Sequence, residues 1–387
     1  MPHIKVKPFD TSKFKELDFV EFSGVDIGDE KMSELIVVNR DNNILLLNLI
    51  KRDNEYLIKQ SRVQKHEDIL FVKEVLNSIA KSLDLDIIHS NTNIKPFKPK
   101  IAHKFLKKIE DFYEFQTDFK KVALEIGFGS GKHLLYQAVK NPDTLYIGIE
   151  IHTPSINQVL KQITLNGYEN IYVINYDGRL LLQMLQSNLL DKIYVHFPVP
   201  WDKKPHRRVI SKKFLDEAIR VLKVGGELEL RTDSDNYYEY SKELFENCKD
   251  AKVEIVKNQD LDVVSKYEAR WKKMHKSIYT LTLTSLKKSE KNDYKIDFGF
   301  NNLGIKGKIP TKSLIKDDYF VHFGNIYKEE DDKIAIECSF GSFSMNEKRI
   351  IYIDGKKREY LPMQPAKSII NYKAHQLIEE VLNGECN

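Results

Sequence analysis

The chain has 387 residues, of which 41% are hydrophobic and 30% are charged, and its formal net charge is +4. This length predicts two or three domains, and the apolar content is sufficient for buried cores. So small a net charge says little about partners, which must be inferred from local clusters of charge. Three widely separated cysteines, Cys248, Cys338 and Cys386, predict a reducing cytoplasmic environment and no metal site.

The sequence predicts neither a signal peptide nor a transmembrane helix. Apolar runs such as residues 44–47 are far shorter than the ~20 residues that a helix needs to cross a bilayer. We therefore expect a cytoplasmic protein that does not act in a membrane. Whether it works as a monomer or as a homodimer is left open.

Residues 1–90 are predicted to form a β-rich N-terminal block. Its strands are expected at residues 34–38, 44–50 and 55–60. An Asp-Asn-Asn turn at 41–43 separates two of them, which indicates a meander of hairpins. Apolar side chains at i, i+4 spacing predict a helix over 67–83. Residues 91–100, with two prolines and three lysines, are the expected linker, and residues 101–119 have the apolar spacing of another helix.

Residues 101–286 form the predicted central domain, and a glycine pattern near its start is the first functional signal. An apolar strand runs into Glu125, then Gly127, Gly129 and Gly131 alternate, and a helix follows. Glycines let the backbone turn tightly and approach a ligand closely. The carboxylate would repel a pyrophosphate but suits a ligand with a cationic end. The pattern therefore favours S-adenosylmethionine over NAD.

Two further strands end in carboxylates. The apolar run 144–151 carries Glu150 near its end, and the run 171–176 is followed by Asp177. Ligands of doubly wound sheets bind outside the carboxyl ends of the strands, where Glu150 could accept from ribose hydroxyls. Asp177 is placed to accept from an adenine amino group. Together with the glycine loop, these acids predict an S-adenosylmethionine site.

A strand over 193–197 ends in a Pro-x-Pro-Trp turn that presents Trp201 on a rigid loop. Seven basic residues follow: Lys203, Lys204, His206, Arg207, Arg208, Lys212 and Lys213. A large aromatic face beside clustered cations suits a flipped nucleobase flanked by phosphates, with Lys203, Arg207 and Arg208 as the expected phosphate ligands. Taken alone, the segment is equally compatible with a solvated loop around a structural tryptophan.

The chain then completes the central sheet and enters a last block. Strands are expected at 227–231, after a Gly-Gly turn, and at 278–284. A second basic cluster comprises Lys266, Arg270, Lys272, Lys273 and Lys276, and a solvated helix face explains it equally well. Residues 294–387 are predicted to form an α+β C-terminal block with a closing helix over 366–382. No internal repeat is expected.

At this point the chain closely resembles the bacterial tRNA (guanine-N7)-methyltransferase family, over about residues 120–285. The motifs that carry the resemblance are Leu124-Glu125-Ile126-Gly127-Phe128-Gly129, Gly148-Ile149-Glu150-Ile151-His152, Phe197-Pro198, Pro200-Trp201, Lys203, His206-Arg207-Arg208, Gly225-Gly226, Thr232-Asp233, Tyr237 and Lys266-Tyr267-Glu268. The resemblance implies cofactor contacts from Glu125, Glu150 and Asp177. It implies tRNA or guanine contacts from Lys203, Asp233 and the segment around Glu268.

The expected fold is therefore α/β, a Rossmann-like class I S-adenosylmethionine-dependent methyltransferase domain between the two flanking blocks. The expected activity is methyl transfer to N7 of a guanosine in the tRNA variable loop. In one respect the chain departs from the family, because Val199 stands where the family has an aspartate within the Pro-x-Pro-Trp turn. Two alternatives stay open: a catalytically silent RNA-binding subunit, and a small-molecule methyltransferase of the same fold.

Overall fold

The computed structural model describes residues 1–28, 33–64, 67–94, 103–113, 115–259, 276–291, 296–302, 304–329, 333–355 and 357–385. The chain divides into two compact units. The central unit is Lys98–Tyr294, and the flanking unit combines Met1–Phe97 with Lys295–Asn387. The N- and C-terminal blocks, which the sequence predicts as separate blocks, thus belong to one unit.

The strands are β1 His3–Val6, β2 Val20–Asp26, β3 Ser33–Arg40, β4 Asn43–Lys51, β5 Tyr56–Gln60, β6 Ile87–Ser90, β7 Leu106–Lys107, β8 Lys121–Ile126, β9 Thr144–Ile149, β10 Ile171–Ile174, β11 Leu190–His196, β12 Leu222–Thr232, β13 Ala251–Lys257, β14 Tyr279–Ser285, β15 Leu314–Ile315, β16 Phe320–Lys328, β17 Ile334–Gly341, β18 Asn346–Ile353 and β19 Arg358–Leu361. The α-helices are α1 Ile69–Ser82, α2 Lys132–Lys140, α3 Thr153–Asn166, α4 Gly178–Met184, α5 Lys212–Val221, α6 Asp235–Glu246 and α7 Ile369–Asn383. Short 3-10 helices span Thr11–Glu16, His103–Phe105, Ile109–Phe112 and Pro205–Arg207. Within the described ranges, no helix has both the length and the apolar character needed to cross a membrane.

The central unit has the predicted Rossmann-like α/β fold. Its sheet has the order β13-β14-β12-β11-β8-β9-β10-β7. The pairs from β12 across to β10 are parallel, whereas β14 runs antiparallel to both β12 and β13. The chain order reverses between β8 and β11, so the ends of these strands form a topological switch point, where ligands of such sheets bind.

Burial explains why these segments are strands and helices. Every residue of β9 is buried, as expected for a parallel strand covered on both faces. Helix α3 buries Ile156, Val159, Leu160 and Ile163, the i, i+3, i+4 and i+7 positions of one face. Side-chain caps begin three of the helices at the carboxyl edge, α4, α5 and α6, since Asp177, Ser211 and Ser234 each accept from a backbone N–H of the helix that follows.

The helix expected over 101–119 is wrong for the described part of that segment. The structure has two 3-10 turns there and the strand β7, which pairs in parallel with β10. Phe105, Ile109 and Phe112 are buried and produce the helix-like spacing. Pairing with β10 satisfies backbone N–H and C=O groups of the strand between the two 3-10 turns. The spacing of the apolar residues alone therefore could not distinguish one helix from short turns around a strand.

The flanking unit contains an internal repeat that the sequence analysis did not find. Strands β2 to β5 followed by α1 recur in the same order as β16 to β19 followed by α7. Strands β2 and β16 pair antiparallel and join the two halves into one sheet, with Tyr327 opposite Asp26. Residues 19–22, Phe-Val-Glu-Phe, can be aligned with residues 320–323, Phe-Val-His-Phe. In this alignment Asp26 and Tyr327 occupy equivalent positions in the two halves. The two halves are therefore related by an approximate twofold axis at this pair.

Alternation along the strands builds two layers of core in this unit. In β3, Ile36 and Val38 pack with α1, whereas Leu35 and Val37 pack against the strands of the second half. The second half packs its outer face on α7. Phe22 and Tyr352 meet edge to face between the halves, with ring centroids 5.7 Å apart. The order of the layers is thus α1, the first half of the sheet, the second half of the sheet and α7.

Candidate active site

The loop between β8 and α2 has the open backbone that the glycine pattern predicted. Gly127 and Gly129 have φ values of +72° and +54°, in the left-handed region that side chains other than glycine rarely adopt. A Cβ at Gly127 would meet no described atom within 4 Å, so the space above the loop is open. Gly131 has a different role, because its Cβ would lie 2.2 Å from Cγ2 of Val159 in α3.

Glu150, directly after β9, braces this loop. Its Oε2 accepts from the Gly129 N–H at 2.9 Å. Its Oε1 accepts from the Ile151 and His152 N–H groups at 2.8 and 3.1 Å. The carboxylate thus links the glycine loop to the segment that begins α3. Oε1 already accepts two hydrogen bonds, whereas Oε2 accepts one and has a further lone pair, and the contact of Glu150 with a ribose stays a prediction.

Asp177 begins α4 as its N-cap. Its Oδ1 accepts from the backbone N–H of Arg179 at 3.0 Å, and the Arg179 guanidinium reaches Oδ1 and Oδ2 at 3.0 and 2.6 Å. The side chain is about one-third exposed. Glu150 and Asp177 follow neighbouring strands at one edge of the sheet. The predicted adenine contact of Asp177 is untested, and it would have to be made beside the Arg179 pair.

Glu125 has a partner that the sequence analysis missed. It is buried, with 3% of its surface exposed, and its Oε2 accepts from Nδ1 of His133 at 2.8 Å. The His133 ring centroid lies 4.6 Å from that of His196, and Nε2 of His196 donates to Oε1 of Glu229 at 2.8 Å. This acid–histidine network, Glu125, His133, His196 and Glu229, links the end of β8, next to the glycine loop, to the end of β11.

Burial and charge act in opposite directions within the acid–histidine network. Burial lowers the pKa of His196 and outweighs the hydrogen bond to Glu229, which raises it. Burial opposes ionisation of Glu229, but His196 and Lys192 outweigh it and lower the pKa of Glu229 to about 2. Glu229 therefore remains ionised in the folded protein. The sequence signal for this network was the alternation of the polar residues Lys192, Tyr194 and His196, which places them on one face of β11.

The turn after β11 holds its aromatic residues in uncommon backbone conformations. Phe197 and Trp201 have φ values of +51° and +48°, which for such bulky residues store about 1–3 kcal/mol each. The Phe197 N–H donates to the Arg231 carbonyl at 2.7 Å and so fixes the start of the turn. Trp201 is 37% exposed, and Cζ of Arg207 lies 5.1 Å from its ring centroid.

The prediction that Arg208 binds phosphate is wrong in this structure. Arg208 is 7% exposed, and its Nε donates to the Pro200 carbonyl at 2.8 Å. Its guanidinium lies 3.4 Å from Asp202 and 4.5 Å from the ring centroid of Tyr240. Arg208 therefore supports the turn from beneath. The cations of this segment that are exposed are Lys203, Lys204, His206, Arg207 and Lys212.

The remaining predicted substrate residues are distributed around this turn. Asp233 follows β12, the strand beside β11, and its Oδ2 lies 3.1 Å from Nζ of Lys276. Lys203 is exposed on the turn. Glu268 lies outside the described residues. In the described ranges, His, Cys, Asp and Glu side chains form no group of three that could hold a metal ion.

Comparison with known proteins identifies the family. Residues 119–281 match a family described as "Putative methyltransferase". Over 354 residues the chain is 38% identical to a tRNA (guanine-N(7)-)-methyltransferase of Wolinella succinogenes, covering 90% of this chain and 91% of that protein. It is 40% identical over 351 residues to a protein of the same name from Helicobacter acinonychis, covering 88% and 86%. The chain belongs to the tRNA (guanine-N(7)-)-methyltransferase family.

The resemblance inferred from the motifs is thereby confirmed, and these alignments are too long to be confined to the central unit. Part of the flanking unit is therefore shared with these family members. A solved structure described as "Structure of an antibiotic related Methyltransferase" is 17% identical, covers 49% of this chain and 96% of its own, and has a TM-score of 0.35.

Proposed function

We propose that this protein transfers a methyl group from S-adenosylmethionine to N7 of a guanosine in the variable loop of tRNA, in the cytoplasm. The observation that carries the proposal is the 38–40% identity, over about nine-tenths of the chain, to proteins named for this activity. The strand-end acids and the open glycine loop of the central unit are compatible with it.

The residues at the carboxyl edge fit S-adenosylmethionine, which when bound supplies an electrophilic methyl group on a sulfonium centre. Gly127 and Gly129 leave space above the loop, and Glu150 and Asp177 present carboxylate acceptors beside it. We assign the cofactor to these four residues. Because Glu125 lies buried beneath the loop against His133, we assign it an electrostatic and supporting role.

The chain's contribution to the methyl transfer is orientation. Guanine N7 has an in-plane lone pair and carries no proton at neutral pH, so its attack requires no general base. Val199 is 60% exposed and has no group that could exchange a proton. We assign the hold on the guanine edge to Asp233 and the segment around Glu268, with Trp201 shaping the pocket. The rate should therefore stay nearly flat from weakly acidic to weakly basic pH.

We assign the tRNA backbone to the exposed side of the turn after β11. Lys203, Lys204 and Arg207 are exposed there, and the Arg207–Trp201 contact places a cation beside an aromatic face. This combination suits a nucleotide whose base stacks while its phosphate pairs with a cation. A small-molecule methyltransferase would have no need for these side chains.

The test is methylation of an unmodified tRNA transcript, followed by chemical cleavage at N7-methylguanosine. A matched transcript with 7-deazaguanosine at the cleaved position has no N7 and should accept no methyl group there. Equal incorporation into both transcripts would overturn the assignment to N7. Val199→Asp should change guanine affinity more than it changes the pH profile.

A second candidate is supported by Val199 alone, which replaces the family's aspartate. In that case the chain is an RNA-binding subunit without catalysis. Purified protein would bind S-adenosylhomocysteine and tRNA but form no N7-methylguanosine on any unmodified tRNA. That result would replace the first proposal with the second.

A further inference from the structure

Two tyrosines form a stacked pair at the carboxyl edge of the central sheet. Tyr238 lies near the start of α6, and Tyr279 is the first residue of β14. Their ring centroids are 4.0 Å apart, and the ring planes differ by 14°. Because Tyr279 pairs with Thr232 at the end of β12, the tyrosine pair lies beside Asp233. Both side chains are partly exposed.

Tyr238 is not part of the buried face of α6. The helix buries Tyr237, Ser241 and Phe245, which are four residues apart and form its core-facing stripe. Tyr238 lies next to that stripe rather than within it. Its ring is stacked on Tyr279 and remains partly exposed. The stack is thus a contact between α6 and β14 outside the buried stripe of the helix, and it leaves part of both rings exposed.

Polar contacts fix the tyrosine pair and place charge around it. The Tyr279 hydroxyl donates to Oδ1 of Asp235 at 3.0 Å, and this hydrogen bond raises the pKa of Tyr279. Nζ of Lys257 lies 5.5 Å from the Tyr279 ring centroid, and Lys276 pairs with Asp233 next to it. The result is a neutral aromatic surface with two ammonium groups and two carboxylates near its rim.

Such a surface matches the chemistry of a nucleotide. Aromatic rings stack on bases of any sequence, ammonium groups pair with phosphates, and carboxylates accept from the N–H groups of bases. We propose that the tyrosine pair stacks on a nucleobase of the tRNA that neighbours the methylated guanosine. This inference rests on the proposed function, because it takes tRNA as the substrate and Asp233 as a group near the target base.

The test uses tRNA transcripts that carry 2-aminopurine on either side of the target guanosine. Stacking on the tyrosine pair should quench the fluorescence of one of these probes when wild-type protein binds. Tyr238→Leu and Tyr279→Leu should remove the quenching and raise the dissociation constant for tRNA roughly 5- to 150-fold. Affinity for S-adenosylhomocysteine should not change, since the cofactor is assigned to other strands.

Matched variants separate stacking from folding. Tyr238→Phe and Tyr279→Phe keep the rings and should behave nearly as wild type, although the second loses the bond to Asp235. Tyr136→Leu, which removes a partly exposed tyrosine that lies 5.5 Å from a lysine ammonium on α2, should leave tRNA affinity unchanged. Melting temperatures of all variants identify any that fail to fold. If both leucine variants fail to fold, the wild-type protein decides the question, because the absence of quenching of either probe would show that the tyrosine pair stacks on neither neighbouring base.

The two proposals fail in different ways. If wild-type protein forms N7-methylguanosine and the leucine variants quench the probes and bind tRNA as wild type does, the stacking inference is wrong and the activity stands. If wild-type protein quenches a probe and the leucine variants do not, but wild-type protein forms no N7-methylguanosine, the proposed activity is wrong and the stacking site stands.

Discussion

The two units tolerate unusual backbone conformations in different residues. In the flanking unit, the described non-glycine residues with positive φ are Asp41, Asn42 and Asp84. Asp41 and Asn42 are the two-residue turn between β3 and β4, where short polar side chains adopt this conformation readily. In the central unit Asn188 and Asn258 do so as well, but so do the bulky residues Phe197 and Trp201, on either side of a proline-rich turn. Unlike Asp and Asn, Phe and Trp have no polar side chain that would stabilise a positive φ. Strained backbone of this kind is common where a site fixes side chains for a ligand.

The units also differ in how they use buried polar groups. In the flanking unit, the Tyr327 hydroxyl donates to Glu337 at 3.0 Å near the junction of the two halves, and burial raises the pKa of Glu337. In the central unit, the acid–histidine network lies beneath the glycine loop and at the end of β11. We infer that the buried Tyr327–Glu337 hydrogen bond specifies how the two halves of the flanking unit join. The buried acid–histidine network instead supports the carboxyl edge of the central sheet, to which we assign the cofactor.

Removal of Glu150 should have the largest effect on cofactor affinity at the carboxyl edge of the central sheet. Glu150→Ala removes an ionised acceptor of three backbone N–H groups, which should weaken binding of S-adenosylhomocysteine by about 1.5–3 kcal/mol. Titration calorimetry measures this change. Glu55→Ala, which removes a carboxylate paired with Lys5 in the flanking unit, is the control and should bind as wild type does. Wild-type affinity in Glu150→Ala would contradict the cofactor assignment.

Arg207 and Arg208 are adjacent in sequence but should respond in opposite ways. Arg207→Ala should reduce the slope of log affinity for tRNA against log salt by roughly one, with an unchanged melting temperature. Arg208→Ala should leave the slope unchanged but destabilise the turn by about 1.5–3 kcal/mol, because it removes a buried charged donor to Pro200. Salt titrations and melting curves test both, and a reduced slope in Arg208→Ala would contradict its supporting role.

Acid should destabilise the central unit through the acid–histidine network. The pKa of Glu229 is lowered to about 2 in the folded protein, so its contribution is present above its unfolded value near 4.5 and is lost as pH falls toward 2. The pKa of His196 is also lowered, so the unfolded state takes up protons more readily below about 6.5. Both shifts make stability fall on acidification. Melting temperatures of Glu229→Gln against pH should show a weaker dependence below 4.5.

Glycine replacements should have the smallest effects on stability and should separate strain from function. Trp201→Gly relieves the strained backbone but loses the contact with Arg207, so stability should change by less than about 1 kcal/mol. Methylation of tRNA should nevertheless fall at least roughly tenfold, since a stacking face worth about 1–3 kcal/mol is lost. Asn42→Gly should change neither property measurably. Full activity of Trp201→Gly would show that its conformation serves the fold alone.

Much of the central unit could be predicted because each feature is local in sequence. Apolar strands, glycines and strand-end acids follow one another within short segments, so Gly127, Glu150 and Asp177 could be placed at one edge without a structure. The family motifs added Asp233 and supported Lys203, which the cation cluster had already indicated. The structure brings Asp233 together with Lys276, a residue that the sequence suggested only as part of a basic cluster.

The missed features depend on distant residues. His133 and Glu229 come from elements separated by roughly 100 residues, and no local pattern indicates that His196 lies between them. Charge alone did not reveal that Arg208 folds beneath Pro200 while Arg207 stays exposed. The repeat was missed because its two copies share few identical residues and are separated by the whole central unit.

The pairing of β2 with β16 has a consequence for synthesis on the ribosome. Almost 300 residues lie between these strands, so at ~5–20 residues per second β2 waits roughly 15–60 s for its partner. During that time its hydrogen-bonding edge is unpaired while the nascent first half can already pack on α1. Because β16 occupies the equivalent place in the second half, two nascent first halves could pair through their own β2 strands in the same way. A polysome that brings such chains close together would favour this off-pathway dimer, and slower translation would prolong the exposure.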